Sequence, residues 1–384
     1  MNLNTEFDII VFGANGYTGR LVAEHLSQRY GIGGEVVWAM AGRSAAELAQ
    51  ARDEIGAPSN TPLVIADATD PVSLRKMVGR TKAVITTVGP YQLYGSDLVA
   101  ACAQAGTDYL DLSGEPHWMR SMIDKHEAQA KTSGARILFA CGFDSIPSEV
   151  GVWFCQDTSR RVLGAPVAYV KGRIRGFKGG ISGGSMASGK ATREALEKDP
   201  ALAAVINSPF GLTPGFQGPP QPSGTEPKND PDVGDVVPFM LAAINAQNVH
   251  RSNLLMGHAY GRDFIYDEMM LADATKSAAP PDVNTPSGGV LKPGEGPAQD
   301  ARQSGFFDML FIGTASDGRK VQISLKGTED PGYGSTPRMI AESAICLVRS
   351  PDVPGGVWTP GAALQGRLVD RLQQHAGLTF AVED

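Results

Sequence analysis

Short apolar runs alternate with helical patterns along the first 150 residues of the chain. Each run is rich in Val, Ile or Ala, has the length of a buried strand, and precedes a segment with apolar residues at helical spacing. The predicted strands are Phe7 to Phe12 and residues 35–41, 63–66, 83–88, 109–112 and 136–140. Strands and helices that alternate at this spacing predict an α/β fold with a doubly wound parallel sheet.

A different pattern begins beyond residue 150. The elements predicted there are a strand at 167–177, a helix at 186–198, a helical piece at 239–244 and a hairpin over 306–325 that turns at Asp317. Residues 209–238 and 278–299 are rich in proline or glycine, so we expect long loops in these places. The mixture of elements predicts that residues 151–330 form a second, α+β domain with mobile loops.

The end of the chain is predicted to be helical, with one helix beginning at Thr336 and another after Thr359. Thr359 is the predicted N-cap of the second helix, because a proline follows it at the first helical position. Both helices carry an apolar face. We expect them to pack against the first domain, so that residues 331–384 complete the domain that residues 1–150 begin.

The first predicted strand ends in a glycine-rich loop, GANGYTG at 13–19, and a helical pattern follows it. A loop in this context binds the diphosphate of a dinucleotide, because bare backbone can approach the phosphates and the helix offers free N–H groups. The third glycine lets the helix pack against the strand. The sequence therefore predicts a Rossmann domain. The expected cofactor contacts in the loop are Gly13, Asn15, Gly16, Tyr17, Thr18 and Gly19.

The corner after the second predicted strand contains Arg43 and Ser44, and no Asp or Glu. An acidic residue at this corner favours NAD because it binds the ribose 2′-hydroxyl, whereas an arginine accommodates a 2′-phosphate. The guanidinium can bond a phosphate through two N–H groups and stack on the adenine, and the serine can add a hydroxyl donor. The sequence therefore predicts NADP(H). The alternative is that Arg43 is only a solvated residue at a helix start.

The corners after the third, fourth and sixth strands should face the same cofactor, because ligands lie beyond the carboxyl ends of parallel strands. The first of them would lie beside the adenine, and the other two near the nicotinamide. The alternative for each corner is a capped turn without a ligand. The expected cofactor contacts after the third and fourth strands are Asp67, Ala68, Gly89, Pro90 and Tyr91.

Composition excludes several classes of function. A net charge of −7 and the lack of a basic run give nucleic-acid binding no electrostatic support. The four cysteines lie far apart and the six histidines are scattered, which argues against a disulfide framework and a metal centre. No Tyr is followed four residues later by Lys, so the catalytic pair of short-chain dehydrogenases is absent from the sequence.

The location of the protein follows from two further observations. No apolar stretch reaches the length of about 18 residues that spans a bilayer. The first residues, MNLNTEFD, lack the basic and apolar parts of a secretory signal. We therefore expect a cytoplasmic protein without a transmembrane segment. Peripheral attachment at the inner face of the plasma membrane stays open, and so does the oligomeric state, with a homodimer as one alternative.

An ordered set of motifs extends over nearly the whole chain. Its members are GANGYTG (13–19), AGRS (41–44), GPYQLYG (89–95), AC (101–102), YLDLSGE (109–115), CGFDSIPSE (141–149), GGISGGSMAS (179–188), DPGYGSTPRMIAES (330–343) and GGVWTPGAAL (355–364). The set resembles that of the saccharopine dehydrogenase-like oxidoreductase family. Within this family it is most similar to the trans-acting enoyl reductases of mycobacteria and their relatives.

The resemblance implies NADPH as cofactor and a second domain that closes the substrate site. Members of this branch reduce carbon–carbon double bonds of polyketide-derived lipid chains, in partnership with synthases that lack the reductase. We therefore expect a small-molecule or carrier-bound acyl substrate, a polyketide synthase as partner and a role in lipid biosynthesis. Two alternatives stay open: a saccharopine-type amino-acid dehydrogenase that reduces an imine, and a non-catalytic NADP(H)-binding sensor.

Reduction of an enoyl thioester needs a donor near the thioester oxygen and a proton for the α-carbon. Tyr91 and Tyr94, after the fourth strand, are the predicted donors, and Asp144, after the sixth, is the third predicted catalytic residue. The alternatives are that the tyrosine hydroxyls bond to the backbone and that Asp144 caps the following helix. Glu115 and His117 are titratable neighbours after the fifth strand.

The substrate class depends on the composition of the second half. A saccharopine-type site should supply several arginines for the carboxylates of its substrate, but the arginines of residues 168–330 are dispersed. The apolar residues of 236–244 and 306–311 would suit an acyl chain better. The alternative is that these apolar residues form ordinary core.

Overall fold

The structure, a computed structural model, describes residues 5–276, 291–292 and 294–383. Residues 278–290 and 293 of the predicted loop at 278–299 therefore lie outside the described residues. The strands are β1 (Phe7–Phe12), β2 (Trp38–Gly42), β3 (Leu63–Ile65), β4 (Thr81–Thr86), β5 (Asp108–Leu110), β6 (Arg136–Leu138), β7 (Tyr169–Lys178), β8 (Lys228–Asp230), β9 (Gly234–Val237), β10 (Ile265–Leu271), β11 (Phe306–Thr314), β12 (Lys320–Gly327), β13 (Gly356–Trp358) and β14 (Leu378–Glu383).

The helices connect these strands and cover the sheets. They are α1 (Tyr17–Tyr30), α2 (Ala45–Glu54), α3 (Pro71–Val78), α4 (Tyr91–Tyr94), α5 (Ser96–Ala105), α6 (Pro116–Ser133), α7 (Ile146–Leu163), α8 (Gly183–Lys198), α9 (Ala203–Ile206), α10 (Ala242–Leu255), α11 (Gln299–Gln303), α12 (Thr336–Val348) and α13 (Pro360–His375). A single π-helical turn, Pro331–Ser335, precedes α12.

The first sheet has the strand order β13-β6-β5-β4-β1-β2-β3, and all of its strands are parallel. The order from β3 to β6 is that of a Rossmann fold, with β13 added at one edge. In the central strand β1, Ile9 and Val11 face one hydrophobic core and Ile10 faces the other, so the strand is buried on both faces. The predicted doubly wound parallel sheet is confirmed.

The second sheet has the order β14-β12-β11-β7-β10-β9-β8. Its strands β7 and β10 are parallel, and the other neighbouring strands are antiparallel. The predicted hairpin is confirmed as β11 and β12, whose turn contains Asp317 and places Gly318 at a φ of +86°. Helix α7 covers this sheet, and Gly151 on α7 leaves room for the ring of Phe311. The second part of the fold is therefore α+β, as predicted.

The helices near the end of the chain pack against the first sheet and its helices, as predicted. Helix α12 contacts α1 and β4. Its residue Glu342 is fully buried and accepts hydrogen bonds from two side chains of α1, His25 Nε2 at 2.7 Å and the Tyr30 hydroxyl at 2.8 Å. A buried carboxylate needs such partners, and they fix α12 on α1.

Several elements differ from the prediction. The predicted loop at 209–238 contains the short strands β8 and β9, and the predicted helical piece at 239–244 extends as α10 to Leu255. Strands β13 and β14 occur in the tail, and β14 pairs with β12 of the second sheet. The strand β9 forms because Val236 and Val237 pair with β10, a contact that no local pattern reveals. The division into domains at 1–150, 151–330 and 331–384 stays a prediction.

A buried carboxyl group joins three helices, α7, α10 and α13. Glu149 on α7 accepts hydrogen bonds from Ser252 Oγ on α10 at 3.0 Å and from the Gly361 backbone N–H on α13 at 2.9 Å. Burial raises the pKa of Glu149 to about 8, and these hydrogen bonds offset only part of the effect. The folded protein therefore keeps this proton at pH values where the unfolded chain has lost it.

We expect Glu149→Gln to change how stability depends on pH. A raised carboxyl pKa contributes stability that is fully present below the unfolded value and is lost as the pH rises towards 8. One proton corresponds to about 1.4 kcal/mol per pH unit in this window. Denaturant titrations from pH 5 to 8 should therefore show a smaller loss of unfolding free energy in the variant. The exposed Glu197→Gln on α8 is the control, and parallel curves for Glu149→Gln and wild type would contradict the assignment.

Candidate functional site

A cleft of about 840 Å³ lies at the carboxyl ends of the strands of the first sheet. The loops that follow β1 to β6 form one wall, and α8 and the turn before α12 contribute to the other. Most of the predicted site residues line this cleft. They are Gly13, Asn15, Gly16, Tyr17, Thr18, Arg43, Asp67, Ala68, Gly89, Tyr91, Tyr94 and Asp144.

Three predicted cofactor residues, Gly19, Ser44 and Pro90, are not among the lining residues. Two of them have a structural role in the fold. Gly19 lies on α1, where the helix packs against the glycine loop. Ser44 caps α2 by accepting a hydrogen bond from the Glu47 backbone N–H at 3.3 Å. Pro90 precedes α4. Their contact with a cofactor stays a prediction.

The glycine loop has the geometry that a dinucleotide requires. Gly13 has a φ of +87°, and a Cβ there would lie 2.9 Å from both Thr87 Oγ1 and Val88 Cγ2. A Cβ at Gly19 would lie 2.1 Å from the Gly13 carbonyl oxygen, so α1 can approach β1 only with glycine at this position. No side chain caps the N-terminus of α1, which leaves its first N–H groups to an anion. The loop fits the diphosphate of a dinucleotide.

At one end of the cleft, Arg43 is exposed and forms no ion pair within the described residues. Asp67 lies nearby, and its Oδ1 accepts hydrogen bonds from the backbone N–H and the hydroxyl of Thr69, both at 2.8 Å. These bonds, with a smaller contribution from Arg43, lower the pKa of Asp67. Arg43 is thus free to bind a phosphate, whereas Asp67 also has the hydrogen bonds of a turn residue.

Near the expected nicotinamide position, the two predicted tyrosines differ. The Tyr91 hydroxyl donates to the Thr86 carbonyl oxygen and accepts from the Leu112 N–H, both at 3.2 Å, and its ring stacks on Trp118. Burial raises its pKa well above the usual value. These contacts are those of the packing alternative. Tyr94 is 43% exposed, and its hydroxyl makes no hydrogen bond within the described residues.

Asp144 is a predicted catalytic residue with a carboxyl group in the cleft that is unpaired within the described residues. It lines the cleft, and its carboxylate makes no hydrogen bond within the part of the chain that the structure describes. Burial raises its pKa to about 6. It does not cap α7, because the N-cap position belongs to Ser145 and no side chain caps this helix. The carboxyl group is therefore available to exchange a proton with a bound molecule.

Glu115 and His117 hold the loop after β4. The Glu115 carboxylate accepts hydrogen bonds from the backbone N–H groups of Tyr91 at 2.9 Å and Gln92 at 2.8 Å, which are the first of α4. His117 Nε2 lies 3.2 Å from Gln92 Oε1, and burial lowers the pKa of this histidine. Both residues position the loop that carries the tyrosines.

The wall opposite the glycine loop was missed by the sequence analysis. It is rich in hydroxyl groups, contributed by Ser182, Ser185, Ser188, Thr192, Tyr333 and Thr336. The hydroxyl residues on α8 recur at the spacing of one helical face. This spacing is the feature of the sequence that could have identified them. Thr192 Oγ1 accepts a hydrogen bond from Gln92 Nε2 at 3.2 Å, so α8 contacts the loop after β4. The site thus combines a dinucleotide loop with a neutral, hydroxyl-lined wall.

Charge in the cleft is distributed unevenly. Among the described lining residues, Arg43 is the only cationic side chain. Two arginines of the second sheet are bound outside the cleft, whereas Arg302 donates to the hydroxyl of Tyr17, which lines it. Arg173 pairs with Asp230 and Asp267, and Arg175 pairs with Asp308 and Glu383. The predicted apolar segments also lie outside the lining set, with Phe239, Phe307 and Phe311 buried in the core.

Comparison with known proteins agrees with this geometry. Residues 9–138 match the family described as the saccharopine dehydrogenase NADP binding domain. The chain is 36% identical over 404 residues to a Mycobacterium tuberculosis protein provisionally named a trans-acting enoyl reductase, covering 96% of this chain and 95% of the relative. It is 34% identical over 418 residues to the trans-acting enoyl reductase of Mycobacterium ulcerans, covering 96% of each.

Solved structures share the architecture at low identity. Apo saccharopine dehydrogenase from Saccharomyces cerevisiae has a TM-score of 0.53 and 11% identity, covering 98% of this chain and all of the other. Homospermidine synthase from Legionella pneumophila has a TM-score of 0.54 and 10% identity, covering 99% of this chain and 92% of the other. At this identity the likeness concerns the fold alone.

The fold, the glycine loop and the matched domain define an NADP-dependent oxidoreductase that binds NADP(H). The chain belongs to the saccharopine dehydrogenase-like family, in which its relatives bear the name trans-acting enoyl reductase. The resemblance drawn from the motifs is confirmed. In the described part of the chain, no helix is both long and apolar enough to cross a membrane.

We expect Gly13→Ala to weaken NADPH binding. The new Cβ would contact Thr87 and Val88 at 2.9 Å and force the loop out of its conformation. The dissociation constant, measured by fluorescence titration, should rise by about tenfold or more, since about 1.4 kcal/mol is one factor of ten. Gly31→Ala is the matched control, because its φ is +63° but a Cβ there meets nothing within 4 Å. Equal affinities for both variants would contradict the phosphate role of the loop.

We expect Arg43→Ala to remove the preference for the phosphorylated coenzyme. A hydrogen bond to a charged group contributes about 1.5–3 kcal/mol, so the dissociation constant for NADPH should rise by about 10- to 100-fold. Binding of NADH should change little, because it lacks the 2′-phosphate. The control is Arg75→Ala, an exposed arginine on α3 outside the cleft. A parallel loss for both coenzymes would show that Arg43 does not recognise the 2′-phosphate.

Proposed function

We propose that the protein is a trans-acting enoyl reductase that uses NADPH to reduce a carbon–carbon double bond of an acyl or polyketide-derived lipid chain. The names of its relatives support this activity, and these relatives match 96% of the chain. The observation that carries the proposal is the charge of the cleft. Among the described lining residues, the one cation is Arg43, which the coenzyme's 2′-phosphate would occupy.

The alternative of a saccharopine-type dehydrogenase needs a different cleft. Its substrate carries several carboxylates, and a protein holds such groups with arginines in bidentate pairs. Arg173 and Arg175 are already paired with carboxylates of the second sheet. Arg251 donates to the Leu212 and Val357 carbonyl oxygens. A neutral thioester needs hydroxyl donors instead, and the wall opposite the glycine loop supplies them.

The residues of this chain would share the chemistry as follows. When NADPH is bound, it supplies a hydride to the β-carbon of the enoyl group. A hydroxyl must then bond the thioester oxygen as negative charge develops there, and the cleft offers several, among them Tyr94, a donor that the sequence predicts. Asp144 would give the proton to the α-carbon. The hydrogen bonds of the Tyr91 hydroxyl to the backbone favour a positioning role for this residue.

The substrate would be carried by another protein. The word trans-acting in the relatives' names supports a synthase, such as a polyketide synthase, that holds the acyl chain as a thioester. The cleft of about 840 Å³ is open to solvent at the exposed side chains of Arg43 and Tyr94, which leaves a path for a tethered group.

The test is an NADPH oxidation assay with purified protein. An α,β-unsaturated acyl thioester should be reduced, with the saturated thioester identified by mass spectrometry. An aminoadipate semialdehyde with glutamate should give no oxidation, because the 2′-phosphate would occupy Arg43, the one arginine among the described lining residues. Turnover of the imine substrate alone would overturn the proposal. Tight NADPH binding without any turnover would favour the sensor alternative.

The pH profile of the same assay tests Asp144. A proton donor with a pKa of about 6 is protonated below that value, so the rate should fall about tenfold per pH unit above it. Asp144→Asn should lower kcat by about 10²-fold or more and abolish this dependence. The exposed Asp370→Asn on α13 is the control. A variant at position 144 that keeps the wild-type profile would exclude Asp144 as the donor.

A further inference from the structure

We propose that Tyr333 and Ser185 together form the hydrogen-bond donor for the thioester oxygen of the substrate. This inference rests on the proposed function and adds two residues that the sequence analysis did not identify. Both residues line the cleft, and both belong to the wall opposite the glycine loop. The reasons are the position of the Tyr333 ring, its hydroxyl partner and its neighbours.

Tyr333 is held rigidly at the cleft. It lies in the π-helical turn Pro331–Ser335, an irregularity that occurs frequently at functional sites. Asp330 fixes this turn, because its Oδ1 accepts from the Tyr333 backbone N–H at 2.7 Å and its Oδ2 accepts from the Gly180 N–H at 2.6 Å. The ring is therefore fixed before a substrate arrives, which is the condition for an effective donor.

The Tyr333 hydroxyl is paired with a second hydroxyl. Its oxygen lies 2.8 Å from Ser185 Oγ, and either atom can donate. Ser182 also bonds the Tyr333 hydroxyl, so three hydroxyls carry three hydrogens, and the two bonds among them leave one hydrogen for a ligand oxygen. Burial raises the pKa of Tyr333, although hydrogen bonds with Ser182 and Ser185 oppose this, so the phenol stays protonated.

The neighbours of Tyr333 include a residue of the glycine loop and the segment that carries Asp144. The rings of Tyr333 and Tyr17 pack edge to face, with 5.4 Å between their centroids, and Tyr17 belongs to the glycine loop. Asp144 lines the same cleft, and its charge makes a small contribution to the raised pKa of Tyr333. Thr336 Oγ1, just beyond the turn, accepts from the Phe143 backbone N–H at 2.9 Å. The turn that carries the donor is thus bonded to the loop that carries the acid.

The reduction step then balances as follows. The β-carbon would receive the hydride that bound NADPH supplies, and the coenzyme would be oxidised to NADP⁺. The electron pair of the carbon–carbon double bond moves towards the α-carbon and the carbonyl oxygen, where the hydroxyl pair bonds the developing charge. The α-carbon takes the proton of Asp144, whose O–H bond breaks as the new C–H bond forms, and the thioester carbonyl is restored. Solvent returns one proton to Asp144.

The experiment measures kcat, KM and the NADPH dissociation constant for Tyr333→Phe with an α,β-unsaturated thioester of N-acetylcysteamine. Loss of an oxyanion donor lowers kcat by about 10²–10³-fold. We expect a fall of this size, with NADPH affinity within about twofold of wild type because no bond to the coenzyme is lost. Ser185→Ala should lower kcat by a smaller factor. The control is Tyr169→Phe, which removes a hydroxyl bonded to Asp267 outside the cleft.

A deuterium isotope effect distinguishes chemistry from structure. With NADPH deuterated at the transferred position, the isotope effect on kcat should increase in Tyr333→Phe, because hydride transfer becomes slower than product release. A purely structural change would lower the melting temperature and leave the isotope effect unchanged, and that result would overturn the inference.

Two other outcomes would also overturn it. One is a Tyr333→Phe variant with weakened NADPH binding and wild-type kcat, which would make the residue a coenzyme contact. The other is a wild-type rate in Tyr333→Phe together with a large loss in Tyr94→Phe, which would assign the donor to α4. These results leave the proposed function intact. A wild-type protein that binds NADPH but reduces no enoyl thioester contradicts the proposed function itself, and the inference with it.

Discussion

The structure depends on the contact between α1 and the glycine loop, where backbone meets backbone with no side chain between them. A Cβ at Gly19 would lie 2.1 Å from the Gly13 carbonyl oxygen, so this spacing exists only with glycine. Because α1 lies so close, its free N–H groups open into the cleft. Its other side binds Glu342 of α12 through His25 and Tyr30. One helix therefore positions both the phosphate site and the tail of the chain.

Hydrogen bonds at the cleft connect the first sheet with the opposite wall. Thr336 bonds the loop after β6, and within the opposite wall Asp330 bonds the segment between β7 and α8. The Tyr17 hydroxyl donates to the Pro297 carbonyl oxygen, in the segment before α11. Tyr17, Phe143 and Thr336 line the cleft, and Asp330 precedes the turn that carries Tyr333. The two walls are therefore fixed in position relative to each other at the cleft. A reaction between two bound molecules requires such a fixed arrangement.

Much of the first sheet could be predicted from the sequence because its signals are local. An apolar run, a glycine loop and a helical pattern follow one another within a few residues, and the arginine at the second corner needs no tertiary information. The strands β8, β9, β13 and β14, at or next to the edges of their sheets, could not be predicted in this way. Their short sequences carry little period of their own, and the neighbouring strand decides whether they pair.

The cleft was predictable on one side only. Tyr333 is far from the glycine loop in sequence, and its contact with Tyr17 arises because α12 packs on α1. Tyr91 shows the converse: its position after β4 indicated a donor, but Trp118 and two backbone groups occupy its ring and hydroxyl. Position in a loop follows from sequence, whereas the partners of a side chain follow from packing.

The uneven charge of the cleft has a consequence for selectivity. With the coenzyme's 2′-phosphate bound by Arg43, the described lining residues would offer no further positive charge, while Asp67, Glu115 and Asp144 contribute carboxyl groups. These carboxyl groups would repel the carboxylates of glutamate and of other abundant cellular acids. An uncharged thioester meets no such repulsion. On the proposed function, the protein would thus exclude its commonest competitors because they are negatively charged. It would not need a pocket whose shape excludes each of them separately.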